Sequence, residues 1–325
     1  MPVSTRVLGV VLAIGCSHAD RLAPRVTVNL DAPPSTRWVD VVTKYNSTIH
    51  ACLEQVSKES PTVSRILSVS EWLFRDEHDS GWLPNEHWSE LESIARMTRL
   101  PVGKLTALAA LYDLTAAKGM DSRACTSVVA QGAATPPVHG RNLDYPLAGA
   151  MLNLTVQVDW QRGGETLFTS ASYLGTVGFN TVVRPRAWSL SHDERDQGPL
   201  LENLLDVFVR RRVLTFSQLR EIATSAADFS AAMDALRSVK LDAPSYFIVA
   251  GSRHGEGALI TRDRDQAADV LNLTSSRWSL CAEAGRLNSR PTASFSPSAE
   301  HSQGVSAHAP PSLHSPHSLC APAVR

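Results

Sequence analysis

Long apolar runs are scarce in this 325-residue chain. The one near the N-terminus, Val7 to Ile14 with Gly9 inside it, falls far short of the ~20 apolar residues a helix needs to cross a bilayer. No later segment is long enough either, so a spanning helix is not expected. Excess charge of one sign is also missing. Lys and Arg number 31, Asp and Glu 32, for a formal net charge of -1, so nothing points to nucleic acid or to a strongly basic membrane face. Cysteine is sparse: Cys16, Cys52, Cys125, Cys281 and Cys320, widely scattered, with no CxxC pair. That excludes a zinc site by spacing and a scaffold built from disulfides. No metal or cofactor is expected.

What is present fits a globular protein with a real core, at 43% hydrophobic and 19% charged residues. The N-terminus reads as a secretory signal. Arg6 gives a positive start, the short apolar run follows, and Ser17 and Ala19 supply small residues for cleavage after Ala19. Cys16 leaves with that segment. Three sequons, at Asn46, Asn153 and Asn272, agree with the secretory route and are candidate glycosylation sites, though Asn153 falls in an expected strand.

Residues 20 to 40 read as extended, since Pro24, Pro33 and Pro34 block helix. From Val39 to Ala117 the pattern is helical, with Ile66, Leu67, Val69, Trp72 and Leu73 spaced by three and four. The character changes after Met120. Cys125–Ala130 is β-branched and apolar, Gly132–Pro137 a turn, and Val138–Leu143 a second strand. Leu152 to Trp160 alternates apolar and polar with period two, and Arg162-Gly163-Gly164 turns it into a partner strand. Pro199 opens a helix, Asp228 caps another, and Ser245–Ala250 with Ala258–Thr261 forms a hairpin. Grouped rather than alternating strands predict an α+β fold with antiparallel sheet, and an αββα sandwich fits the order. From about Ser289 the chain is Ser, Pro, His and Ala. Such a tail buries too little to offset its entropy, and His301, His308, His314 and His317 are too irregularly spaced for a metal site.

Cys125 has the most telling context. It opens Cys125-Thr126-Ser127, and His139-Gly140-Arg141-Asn142-Leu143-Asp144-Tyr145-Pro146 follows after the short turn. The sequence here resembles the family of N-acylethanolamine acid amidase and acid ceramidase. The Asp193-Glu194-Arg195-Asp196 and Ile260-Thr261-Arg262-Asp263 blocks are also similar. The resemblance is best from Cys125 to Trp278 and looser over residues 25 to 120. It implies an N-terminal-nucleophile hydrolase with an N-terminal helical subunit. Residues 1–19 are then a signal peptide, 20–124 the helical α-subunit or propeptide, 125–278 an incomplete catalytic β-subunit, and 279–325 a divergent, disordered tail.

In this chemistry the Cys125 thiol attacks the Ala124 carbonyl, and hydrolysis of the resulting thioester frees the Cys125 α-amine. That amine, with a pKa near ~8, then serves as the base for a nucleophilic thiol. By resemblance Asp144 holds the amine, Arg141 orients Cys125 and stabilises developing charge, and Glu194 is a polar partner near the substrate head. His139 reads as structural, because the mechanism already has a base. A papain-type site is excluded by the surroundings of Cys125 and by the lack of a suitably placed His with a downstream Asn.

The resemblance implies lysosomal hydrolysis of fatty-acid amides, an α/β heterodimer after self-cleavage, and a lipid amide substrate. Trp72, Leu73 and Phe74 read first as core packing, with contact to acyl chain or membrane as the alternative. Ceramide is the competing substrate. A further alternative is a catalytically impaired form that only binds lipid or the full-length enzyme. It arises because the resemblance stops after Trp278: the family continues with an Asn that supplies an oxyanion donor, and Trp278-Ser279-Leu280-Cys281 does not.

Overall fold

The computed structural model describes residues 22–74, 81–117, 125–143, 148–277 and 279–283. In chain order the elements are β1 (Arg25–Asn29), α1 (Val39–Glu59), α2 (Pro61–Leu73), α3 (Asn85–Thr98), α4 (Val102–Ala109), α5 (Leu111–Thr115), β2 (Cys125–Ala130) and β3 (Val138–Leu143). Then come α6 (Ala148–Leu154), β4 (Thr155–Arg162), β5 (Glu165–Tyr173), β6 (Phe179–Arg184), β7 (Trp188–Glu194), α7 (Leu200–Phe208), α8 (Thr215–Ser225) and α9 (Phe229–Ser238). The chain closes with β8 (Ser245–Gly251), β9 (Gly257–Arg262), β10 (Ala267–Asn272) and β11 (Ser279–Glu283).

The fold is α+β, with two stacked sheets. An eight-stranded sheet runs β1-β4-β5-β6-β7-β8-β9-β10, antiparallel except for the parallel β1–β4 pair. A three-stranded antiparallel sheet, β11-β2-β3, lies on it against β7, β8 and β9. Helices α8 and α9 cover the other face over β5, β6, β8 and β9. β8 is therefore enclosed on both sides and buried along most of its length, which explains its near-continuous apolar run.

Between the sheets the filling changes from one end to the other. Val129, Ile248, Leu259, Leu273 and Leu280 form an apolar cluster. Toward Cys125 the same layer is polar. β7 makes this possible by alternation: Ser189, Ser191 and Asp193 face β2 and β3, while Trp188, Leu190 and His192 face the helices.

Two expectations are corrected, and the packing reading of Phe74 is borne out. Leu152 to Leu154 is the end of α6, not strand. Ala150, Met151 and Leu154 are its buried stripe and Leu152 is exposed, so Asn153 lies on a helix. Phe74 is fully buried against Trp82 and Phe208, at centroid distances of 4.5 and 5.2 Å, so it is core. Residues 279–283, placed in the tail by the sequence reading, form β11 and pair with β2 register for register from Ser279↔Ala130 to Glu283↔Thr126. The remaining tail and the signal-like segment 1–19 lie outside the described residues. Among the described residues no helix is long and apolar enough to cross a membrane, and no group of three or more His, Cys, Asp and Glu could hold a metal.

Candidate active site

The centre of the site is set by a two-strand register. β2 pairs with β3 so that Cys125 lies opposite Leu143 and Ser127 opposite Arg141. Cys125, Ser127 and Val129 point inward from β2, and Arg141 reaches the same layer from β3. Cys125 is only 7% exposed, and Arg141 donates from Nη2 to its Sγ at 3.2 Å.

The Arg141 side chain is fixed on several sides. Nη1 donates to the Asn180 backbone oxygen at 2.9 Å, to Asn180 Oδ1 at 3.0 Å, and to Thr181 Oγ1. Nη2 also donates to the His192 carbonyl at 2.7 Å. Nε lies 3.7 Å from Asp193 Oδ1. Asp193 is fully buried and accepts from Ser127 Oγ at 2.8 Å, while its Oδ2 has no partner among the described residues.

Burial pushes the Cys125 thiol up to about 12, against the pull of Arg141. The Glu194 backbone N–H assists Arg141 in favouring the thiolate. Burial also raises Asp193, to about 6 despite Arg141. The arrangement joins a shielded sulfur to a fixed cation that stabilises its anion, and to a carboxyl able to exchange a proton in mild acid. That is the equipment of acyl transfer through a thiol.

Next to the polar layer lies a small apolar cavity lined by Leu108, Leu111, Tyr112, Met151, Tyr173 and Phe216, among others. Its volume is about 20 Å³, room for roughly one water. Glu194, buried at the end of β7, reaches this neighbourhood, and its charge helps burial raise the Tyr112 phenol well above its usual range.

Of the sequence candidates, Cys125, Arg141 and Glu194 come together. Ala124 and Asp144 lie outside the described residues. His139 is occupied elsewhere: Nδ1 meets Ser189 Oγ and Nε2 meets Ser191 Oγ, both at 2.8 Å. Of the sequon asparagines, Asn272 is exposed while Asn46 and Asn153 are half-buried. The sequence reading assigned no role to Asn180, Asp193 or Tyr173. Asn180 carried no local signal beyond being a polar residue beside Phe179. Asp193 lies in the Asp193-Glu194-Arg195-Asp196 block, where the resemblance assigns a role to its neighbour Glu194.

Residues 22–76 match a family model described as the beta subunit of N-acylethanolamine-hydrolyzing acid amidase, and that label falls on the segment before Cys125. Over 281 residues the chain is 32% identical to the Caenorhabditis elegans N-acylethanolamine-hydrolyzing acid amidase, covering 85% of this chain and 78% of the relative. The Rattus norvegicus enzyme of the same name is 32% identical over 77% of this chain and 67% of its own length. Human acid ceramidase is 30% identical over 78% and 68%. The chain belongs to the family of N-acylethanolamine-hydrolyzing acid amidases and acid ceramidases, a family of amide hydrolases.

Proposed function

We propose that this chain is the precursor of an N-terminal-nucleophile amidase that cleaves itself before Cys125 and then hydrolyses fatty-acid amides, N-acylethanolamines foremost. The observation that carries the reading is the 3.2 Å contact of Arg141 with the buried Cys125 sulfur. In self-cleavage a C–S bond forms to the Ala124 carbonyl carbon and the Ala124–Cys125 C–N bond breaks. The thiol proton ends on the freed nitrogen, and water then hydrolyses the thioester. The new α-amine is the base the buried thiol lacks. Arg141 steadies the thiolate, Asp144 holds the amine, and Glu194 lies toward the leaving group.

The apolar cavity favours an acyl chain over a polar substrate. The sequence favours a lysosomal site reached by the secretory route, with residues 1–19 removed and sugar on Asn272 before Asn46 or Asn153. Exposed Val69, Trp72 and Leu73 of α2 offer a lipid-facing edge for peripheral membrane contact. The similarity to acid ceramidase makes an N-acylsphingosine the second substrate to assay.

The test is intact mass and N-terminal sequencing after secretory expression and incubation at about pH 4.5–5, below the α-amine pKa. A new N-terminus at Cys125, lost in Cys125→Ala, is expected. A chain that stays intact would favour the impaired form.

A further inference from the structure

Tyr173, the last residue of β5, has a buried hydroxyl only half used. Its oxygen accepts from Asn180 Nδ2 at 3.4 Å, and no described residue accepts its hydrogen in return. A phenol is both donor and acceptor, and a buried donor left idle is costly unless something arrives to receive it. The hydroxyl belongs to the same connected set as the nucleophile. Asn180 Oδ1 accepts from Arg141 Nη1 at 3.0 Å, and Arg141 Nη2 lies 3.2 Å from Cys125 Sγ. The phenol also feels both the guanidinium and the sulfur. Burial keeps it protonated, hence a donor.

The backbone holds Tyr173 in place. Gly175 takes φ +90 in the β5–β6 turn, a conformation that suits glycine. A Cβ on Gly178 would sit 2.7 Å from the Phe216 backbone, so the turn packs directly against α8. Tyr173 itself lines the apolar cavity, and its oxygen meets Asn180.

We infer that the Tyr173 hydroxyl is a catalytic oxyanion donor, hydrogen-bonding the oxygen of the carbonyl that Cys125 attacks. The inference rests on the amidase reading. Thiol addition forms the C–S bond and moves the carbonyl π pair onto oxygen. Tyr173 shares its hydrogen with that oxygen without giving it up. The C=O bond then reforms as the C–N bond breaks, and the nitrogen leaves with the thiol proton. A fixed donor in a dry site is worth far more than one in water. The segment after residue 278 lacks the asparagine that the resemblance would put in this role, and Tyr173 fills it from another strand.

Tyr173→Phe removes a single oxygen. With wild-type melting temperature retained, processing rate and kcat on N-palmitoylethanolamine should fall ~10–100-fold, with KM within about twofold. Palmitaldehyde adds to the processed thiol as a hemithioacetal and places an oxygen at the same point. It should bind at least ~10-fold more weakly to the variant, while 1-hexadecanol binds equally to both. If the phenylalanine form does not fold, 3-fluorotyrosine at position 173 keeps the ring and makes the hydroxyl a stronger donor, and it should change aldehyde affinity while leaving alcohol affinity unchanged. Unchanged kcat in an active background overturns the role of Tyr173 alone, as does equal weakening of aldehyde and alcohol. A wild-type chain that is neither processed nor active on any acyl amide overturns the amidase reading, and this inference with it.

Discussion

Glu90 of α3 and Arg220 of α8 form a buried fork, with Arg220 Nη2 2.6 Å from Glu90 Oε1 and Nη1 2.7 Å from Oε2. The two residues lie on opposite sides of Cys125 in sequence. Arg37 Nη1 and Trp38 Nε1 add contacts to the same carboxylate at 2.7 Å each. Arg220 also sits over the Trp160 ring, 4.2 Å from its centroid. One carboxylate thus ties the N-terminal helices to the catalytic layers.

Breaking that tie should be expensive. Glu90→Ala leaves Arg220 charged and buried, which costs about 3–5 kcal/mol. Denaturant melts at pH ~5 are the measurement. A loss under ~1 kcal/mol would mean that water or a neighbouring carboxylate replaces Glu90.

Arg141→Lys keeps a cation but loses the planar fork that reaches Asn180, His192 and Cys125 together. Processing and amide hydrolysis should slow by ~10²–10³ in a chain that still folds. Near wild-type rates would show that charge alone suffices at this position.

The strand pair carrying Cys125 and Arg141 was readable in the sequence to the residue, because its turn and its β-branched run are both local. Leu152–Leu154 was misread because Leu-Asn-Leu mimics a strand, whereas the packing of Ala150, Met151 and Leu154 as one helical stripe decides the outcome. β7 ends in Ser191-His192-Asp193-Glu194, all buried. No periodicity rule places four polar residues in a core strand. Ser191 and Asp193 are there because β3 brings His139 and Arg141 opposite them, whereas His192 packs on the other side against Tyr112 and Phe216, a division set by the stacking of two sheets. Asn180 was invisible for the same reason: its partner Arg141 is 39 residues away.

His139 offers a sharper discrimination. Burial, then Arg141, lower its pKa to about 4, and both ring nitrogens are engaged with serines. His139→Gln should change kcat less than about fivefold and leave the pH profile between about 5 and 7 in place. A Cys–His dyad predicts instead a loss of ~10³ or more, since the base would be gone.

The pH dependence of stability follows from two opposed groups. Asp113 of α5 accepts at Oδ1 from the Thr215 N–H at 3.2 Å, and its Oδ2 has no partner among the described residues; nor does either oxygen of Asp242. Burial raises Asp113 to about 7. Burial, then the charges of Asp113 and Asp206, lift Asp242 well above the carboxylate range, against Arg212 and Arg264. The folded chain therefore binds these protons more tightly than the unfolded chain. The stability they confer is full below pH ~4 and is lost as pH rises through about 7. Glu90 runs the other way. Burial would raise it, but Arg220 outweighs burial and holds it at about 2, so its contribution is full above pH ~4.5 and is lost on further acidification. Buried His139 and His192, lowered to about 4 and about 3, oppose Asp113 over the same range, so its share is read as a difference between variants. With cleavage blocked by Cys125→Ala, Asp113 alone contributes a loss of roughly 2–3 kcal/mol between pH ~5 and ~7.5, or ~3–5 °C in Tm. In that background Asp113→Asn keeps the shape without the charge, and its Tm should fall less, or rise more, than the parent's over the same interval. An Asn variant with the parent's slope would show that the cluster is already neutralised by Arg212 and Arg264.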